Sequence, residues 1–109
     1  MGRVMPQYAV YRNENSGSNE ECPFLVDVQA DLLDELGTRV VIPLAKTAEL
    51  TGFPMLYLVP VVAFQGKPYA LLTPQLAGIL REELGPQAGS LADQGRVISG
   101  ALDFLLRGF

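Results

Sequence analysis

Along the first two thirds of the chain apolar and polar positions alternate over short runs, whereas the last run of hydrophobes repeats at helical spacing. Tyr8, Val10 and Arg12 alternate with Ala9 and Tyr11 in a β-favouring composition, which predicts a short first strand. Met1 to Pro6 carry no such pattern. With a second methionine at Met5, residues 1–6 are expected to be an extension outside the fold, and residues 7–109 a single domain. Asn13 to Glu21 reads NENSGSNEE, with no hydrophobe and many turn formers, so an exposed, mobile loop is expected there. Phe24 to Gln29 (FLVDVQ) and Val40 to Ile42 with Leu44 are β-branched and aromatic, separated by a loop holding Gly37, and predict an antiparallel pair. Pro43 lacks a backbone donor, which predicts that this end of the strand lies at an edge or a bulge.

Ala45 to Pro54 is mixed and supports no assignment. Leu56 to Phe64 and Tyr69 to Thr73 flank Gln65-Gly66-Lys67-Pro68, where Gly66 supplies a positive φ, and predict a hairpin. Leu76, Ile79, Leu80 and Leu84 fall at helical spacing over a segment that ends at Gly85-Pro86, which predicts one or two helical turns. Val97, Ile98, Ala101, Leu102, Leu105 and Leu106 form a broad apolar stripe on one face of a C-terminal helix, with Ser90 or Asp93 as N-cap and Gly108 as its stop. Gly95 and Gly100 lower its intrinsic helicity by about 1 kcal/mol each relative to Ala, so packing must hold it. Several short strands followed by one helix make an α+β sheet or small barrel.

Composition narrows the chemistry. The chain has 109 residues, 49% of them hydrophobic, enough for one core, and a formal charge of −4. That charge opposes direct capture of a phosphate backbone, so no direct nucleic-acid binding is expected. The lone Cys22 excludes an intrachain disulfide, no signal-like start is present, and Pro60, Gln65 and Lys67 interrupt the longest apolar stretch well short of the roughly 20 residues a membrane helix needs. A cytoplasmic, soluble protein is the expectation. With no His and one Cys, acid/base catalysis and metal binding rest on carboxylates alone. Asp27, Gln29 and Asp31 share one face at period two and read as a solvated polar face rather than a metal site. Glu82 and Glu83 with Arg81 read as surface, and Cys22 as an incidental thiol. No metal, cofactor or catalytic residue is expected.

Three segments, FLVDVQADLL at Phe24 to Leu33, VVIPLA at Val40 to Ala45 and LVPVV at Leu58 to Val62, together with the ending DFLLRGF at Asp103 to Phe109, resemble CcdB-family toxins in order and spacing. The resemblance implies an SH3-like five-stranded antiparallel sheet with a β wing, a C-terminal helix and a homodimer that presents both C-termini at one surface. It implies a toxin of a type II toxin–antitoxin module, not an enzyme, that binds DNA gyrase on its DNA-cleaving protein, gyrase A, traps gyrase on DNA, and is neutralised by a CcdA-like antitoxin. Arg107, Gly108 and Phe109 correspond to the family's terminal Trp-Gly-Ile, which engages gyrase. Tyr11, with Arg107, corresponds to the antitoxin-binding side. Arg107 departs from the family Trp, whose indole stacks on gyrase arginines, and replaces cation–π attraction with a like charge. Two alternatives follow. One is a CcdB-fold protein that no longer poisons gyrase. The other is an mRNA endoribonuclease toxin of the same fold, which the scattered Arg3, Arg12, Arg39, Arg81, Arg96 and Arg107 support poorly because they form no basic stripe.

Overall fold

A computed structural model of the chain describes residues 5–33, 35–47 and 57–109. The alternating segments form β1 (Ala9–Arg12), β2 (Phe24–Asp27), β3 (Thr38–Lys46), β4 (Val61–Phe64), β5 (Lys67–Leu71), β6 (Ala77–Leu80) and β7 (Gln87–Ser90), followed by one helix, α1 (Gly95–Arg107). They build a seven-stranded antiparallel sheet in the order β4-β5-β3-β2-β1-β7, with β6 also on β3. The architecture is a curled half-barrel with a C-terminal helix, an α+β small barrel as the sequence implies. Among the described residues there are seven strands, against the five of the resemblance.

β3 organises the sheet because both of its edges are used. Val41 to Leu44 pair with β2 on one side, while on the other side Thr38 to Val41 pair with β6 and Leu44 to Lys46 with β5. Pro43 therefore lies inside the longest strand, opposite Leu25, and not at a strand end. Its carbonyl accepts from the Leu72 N–H at 3.0 Å, just past the end of β5. Since the N and O of a strand residue face the same side, the missing donor falls where β5 has ended and β6 has not begun, so no ladder bond is lost.

The segment expected to be helical at Leu76 to Leu84 is instead β6 between two 310 turns, Thr73–Gln75 and Arg81–Glu83. Helical spacing lost here to the open first half of β3, whose unpaired backbone groups are satisfied by a strand alongside. The hairpin forms where expected, but its strands are shorter and its turn tighter: β4 begins at Val61 after a turn at residues 57–60, and β5 ends at Leu71. Gln65 (φ 53°) and Gly66 (φ 77°) make a two-residue turn with both φ values positive, and Lys67 and Pro68 already belong to β5. The unassigned segment and Leu56 fall largely on residues 48–56, outside those described.

The main core lies between the sheet and α1. Val10, Val26, Ile42, Leu44, Leu71 and Ile98 are at or near zero exposure, and Phe24 meets Phe64 and Tyr69 edge-on at 5.0 and 5.6 Å between ring centroids. On the opposite face Met5, Ala9, Tyr11, Val41 and Leu84 form a smaller cluster. Met5, expected outside the fold, is thus fully buried, and its carbonyl accepts from Arg39 Nη2 at 2.8 Å.

The polar face expected at Asp27, Gln29 and Asp31 is solvated only at Asp31. Asp27 and Arg39 have no exposed side-chain surface, and their Oδ2 and Nε meet at 2.7 Å. Asp27 is opposite Val41 in the ladder, so Arg39, two residues earlier on the same face, reaches it diagonally. The other Asp27 oxygen accepts from the Gln29 N–H at 2.9 Å. Gln29, also buried, accepts from the Val40 N–H and donates to the Leu33 carbonyl. Period two places these residues on one face correctly, but the chain before β1 and β6 cover it.

Removing either member of this pair strands a buried charge. Asp27→Ala or Arg39→Ala is expected to cost about 3–5 kcal/mol in urea unfolding, whereas the double change Asp27→Leu with Arg39→Met costs far less. Single variants as stable as the parent would show that the pair is not sealed.

Candidate functional site

The uncovered surface of α1 and its ending form the site to which the sequence points. Ile98 and Ala101 are buried against the sheet, and Leu102, Phe104 and Leu105 are half-buried. Val97 and Leu106 of the same apolar stripe stand exposed, Leu106 at 76%. Tyr57 stacks on Phe104 at 6.2 Å between ring centroids. The sheet thus covers the centre of the stripe and leaves its two flanks, Val97 on one side and Leu106 on the other, exposed.

Both ends of α1 are fixed locally. Neither Ser90 nor Asp93 caps it. Gln94 occupies the N-cap and sends its side chain to the edge strand β4, accepting from the Ala63 N–H at 3.0 Å and donating to the Ala63 carbonyl at 2.7 Å. Ser90 Oγ serves the preceding 310 turn by accepting from the Ala92 N–H. At the other end Gly108 adopts the left-handed conformation (φ 82°) and donates to the Phe104 carbonyl at 2.8 Å, the stop expected from the sequence. The chain leaves the helix axis there, and Phe109 stands 82% exposed.

Arg107, Gly108 and Phe109 are therefore brought together as one exposed end: a cation on the last helical residue, a cap, and an aromatic ring with no cover. Tyr11 does not join them. It is fully buried with Ala9 and Val41 because both faces of β1 are covered, so its side chain presents no surface to a partner. The resemblance placed Tyr11 toward the antitoxin-binding side, whereas here it is packed into the smaller core. A further apolar group, not singled out in the sequence, is Leu32 (94% exposed) with Leu33, Leu36 and Leu80 around the loop between β2 and β3. Its signal was available: leucines within an acidic, turn-rich stretch have no strand to bury them.

The loop Asn13 to Glu21 is mostly exposed, as expected, but it is not without an anchor. Asn13 is buried and its amide nitrogen donates to the Cys22 carbonyl at 2.8 Å and to Ser18 Oγ at 3.0 Å. Burial first, and Glu21 second, push the Cys22 thiol above its ordinary pKa. This disfavours the thiolate, the reactive form. Among the described residues no group of three or more Cys, Asp or Glu side chains is placed to hold a metal ion, and no helix is long and apolar enough to cross a membrane.

Against known families, the profile described as CcdB protein matches residues 7–108, nearly the whole chain.

Two outcomes follow from this geometry. Cys22 should react with iodoacetamide at neutral pH well below the rate of a free cysteine, and a rate equal to it would contradict the buried placement. Gly108→Ala should cost about 1 kcal/mol in thermal unfolding because of its positive φ. An unchanged melting temperature would show that the cap does not hold the helix end.

Proposed function

The chain belongs to the CcdB family, and from that premise we propose that it is the toxin of a type II toxin–antitoxin module, acting as a homodimer that binds gyrase A, the DNA-cleaving protein of DNA gyrase, through its C-terminal end and is neutralised by a CcdA-like antitoxin. The observation that carries the reading is the exposed Phe109 just past the Gly108 cap of α1, in a chain whose family match runs to Gly108. An aromatic side chain held off the helix axis is costly to leave in water, and burying Phe109 in a partner contributes about 1.5–3 kcal/mol. No bond is made or broken by the toxin. A ligand that favours the opened, DNA-cleaved state of gyrase shifts the enzyme's population toward it by its difference in affinity for the two states.

The homodimer rests on the family membership, since the exposed Val97 and Leu106 flank the buried centre of the α1 stripe on opposite sides and form no single patch. Arg107 favours one alternative within the same family: a CcdB-fold protein adapted to a different partner surface, for which poisoning of gyrase is lost. The endoribonuclease reading gains nothing from the acidic balance of 12 Asp plus Glu against 8 Lys plus Arg.

Sedimentation should give about twice the chain mass of 11.8 kDa at micromolar concentration, and a stable monomer would count against the dimer. Deleting Gly108 and Phe109 should weaken affinity for the purified gyrase A dimerisation domain by about a hundredfold, as loss of a central aromatic anchor does, and leave circular dichroism unchanged. Arg107→Trp should strengthen it, by restoring a π surface and removing a cation that faces arginines. Equal binding by the truncated and full chains would refute recognition through this end.

A further inference from the structure

The second surface lies across the molecule's other sheet face, where a cleft of about 660 Å³ runs between the loop after β1 and the turn after β6. Its floor is apolar: Leu25 of β2, Val41 and Pro43 of β3, and Ala77 and Ile79 of β6. Its rim carries Glu14 on one side and Glu82 and Glu83 on the other, all exposed, and no Lys or Arg lines it among the described residues.

The two rims are held together by backbone. The Gly85 N–H donates to the Arg12 carbonyl at 3.2 Å and the Arg12 N–H to the Pro86 carbonyl at 3.0 Å, which ties the chain before Glu14 to the chain after Glu83. The Glu14 side chain lies so close to Gly85 that a Cβ there would fall 2.8 Å from its Cγ. The buried Leu84 anchors the 310 turn that carries Glu82 and Glu83. The carboxylates thus have their spacing set by the fold, and among the described residues none of the three makes an ion pair.

From this we propose that the cleft is a docking site for a segment of a partner protein in which Lys or Arg side chains accompany aliphatic ones. The aliphatic groups cover the partly exposed Leu25, Pro43 and Ile79, and the cations meet Glu14, Glu82 and Glu83. Charge complementarity selects this occupant. A nucleic acid or an acidic segment is repelled by the rim, and the carboxylates are too dispersed to share one metal ion. The inference does not rest on gyrase as the target, because none of its residues belongs to the Arg107–Phe109 end.

The test uses the full chain and two fluorescein-labelled synthetic peptides, one alternating lysine with leucine and its glutamate–leucine counterpart. The basic peptide should bind with an affinity that falls as salt rises, and should shift the backbone amide resonances of Leu25, Val41 and Ile79. The acidic peptide should not bind. The triple charge reversal Glu14→Lys, Glu82→Lys and Glu83→Lys should weaken the basic peptide by about tenfold, since it replaces three attractive exposed pairs with three repulsive ones. Its circular dichroism and its affinity for the gyrase A dimerisation domain should be unchanged. Unaltered binding by the charge-reversed protein, equal binding of both peptides, or shifts confined to α1 would overturn the proposal. So would a change of sedimentation on charge reversal with no peptide-induced shifts, which would assign the cleft to a second copy of this chain. If the single variants Glu14→Gln and Glu82→Gln, which keep shape and remove charge, each weaken the peptide while the triple variant fails to fold, the proposal stands on those.

Discussion

The buried ion pair of Asp27 and Arg39 is the constraint on which the arrangement of the molecule rests. Neither side chain retains solvent contact, so each charge is compensated only if β2, β3 and the chain at Met5 keep their mutual positions. Such a pair adds little net stability, because desolvation offsets most of the attraction, but a shift in strand register would leave a bare charge in the interior. It fixes the register of β2 against β3. That register places Leu25, Val41 and Pro43 side by side as the floor of the cleft and Val26, Ile42 and Leu44 on the core face that receives α1.

Much of this was legible in the sequence where local pattern and tertiary environment agree. β1, the β2–β3 pair, the β4–β5 hairpin and the helix with its Gly108 stop all follow from periodicity and turn chemistry, and the fold class follows from their order. The departures share a physical cause. At Leu76 to Leu84, spacing alone favoured a helix, yet the unpaired edge of a nine-residue strand captured the segment. At Asp27 and Gln29, period two gave the correct face but polarity gave the wrong environment, since what covers a face is set by segments distant in sequence. Met5 was misplaced for the same reason, as nothing near it in the chain shows that Arg39 and Leu84 enclose it.

The candidate site was legible in part. Arg107, Gly108 and Phe109 stand exposed together, and the family match reaches Gly108. Tyr11, expected toward the antitoxin-binding side, is buried, and residue type and strand position do not reveal that both faces of β1 are covered. The acidic cleft was hidden for the opposite reason: Glu14 and Glu82–Glu83 are far apart in sequence, and the pairing of β1 with β7, continued by the two backbone hydrogen bonds between Arg12 and Gly85–Pro86, makes them neighbours. The surface is thereby divided into an end with an aromatic ring and a cation, and a face with carboxylates over aliphatic side chains. Two surfaces of such different chemistry on one small domain suit two different partners.

Gyrase poisoning through the C-terminal end is tested by the trapping of cleaved DNA by gyrase from the protein's own host, read as linear plasmid after denaturation of the reaction in detergent. Adding the purified full chain is expected to make linear plasmid accumulate, and the chain lacking Gly108 and Phe109 is expected to leave it unchanged. Cleavage products at the level of gyrase alone with the full chain, or equal trapping by the truncated one, would contradict it.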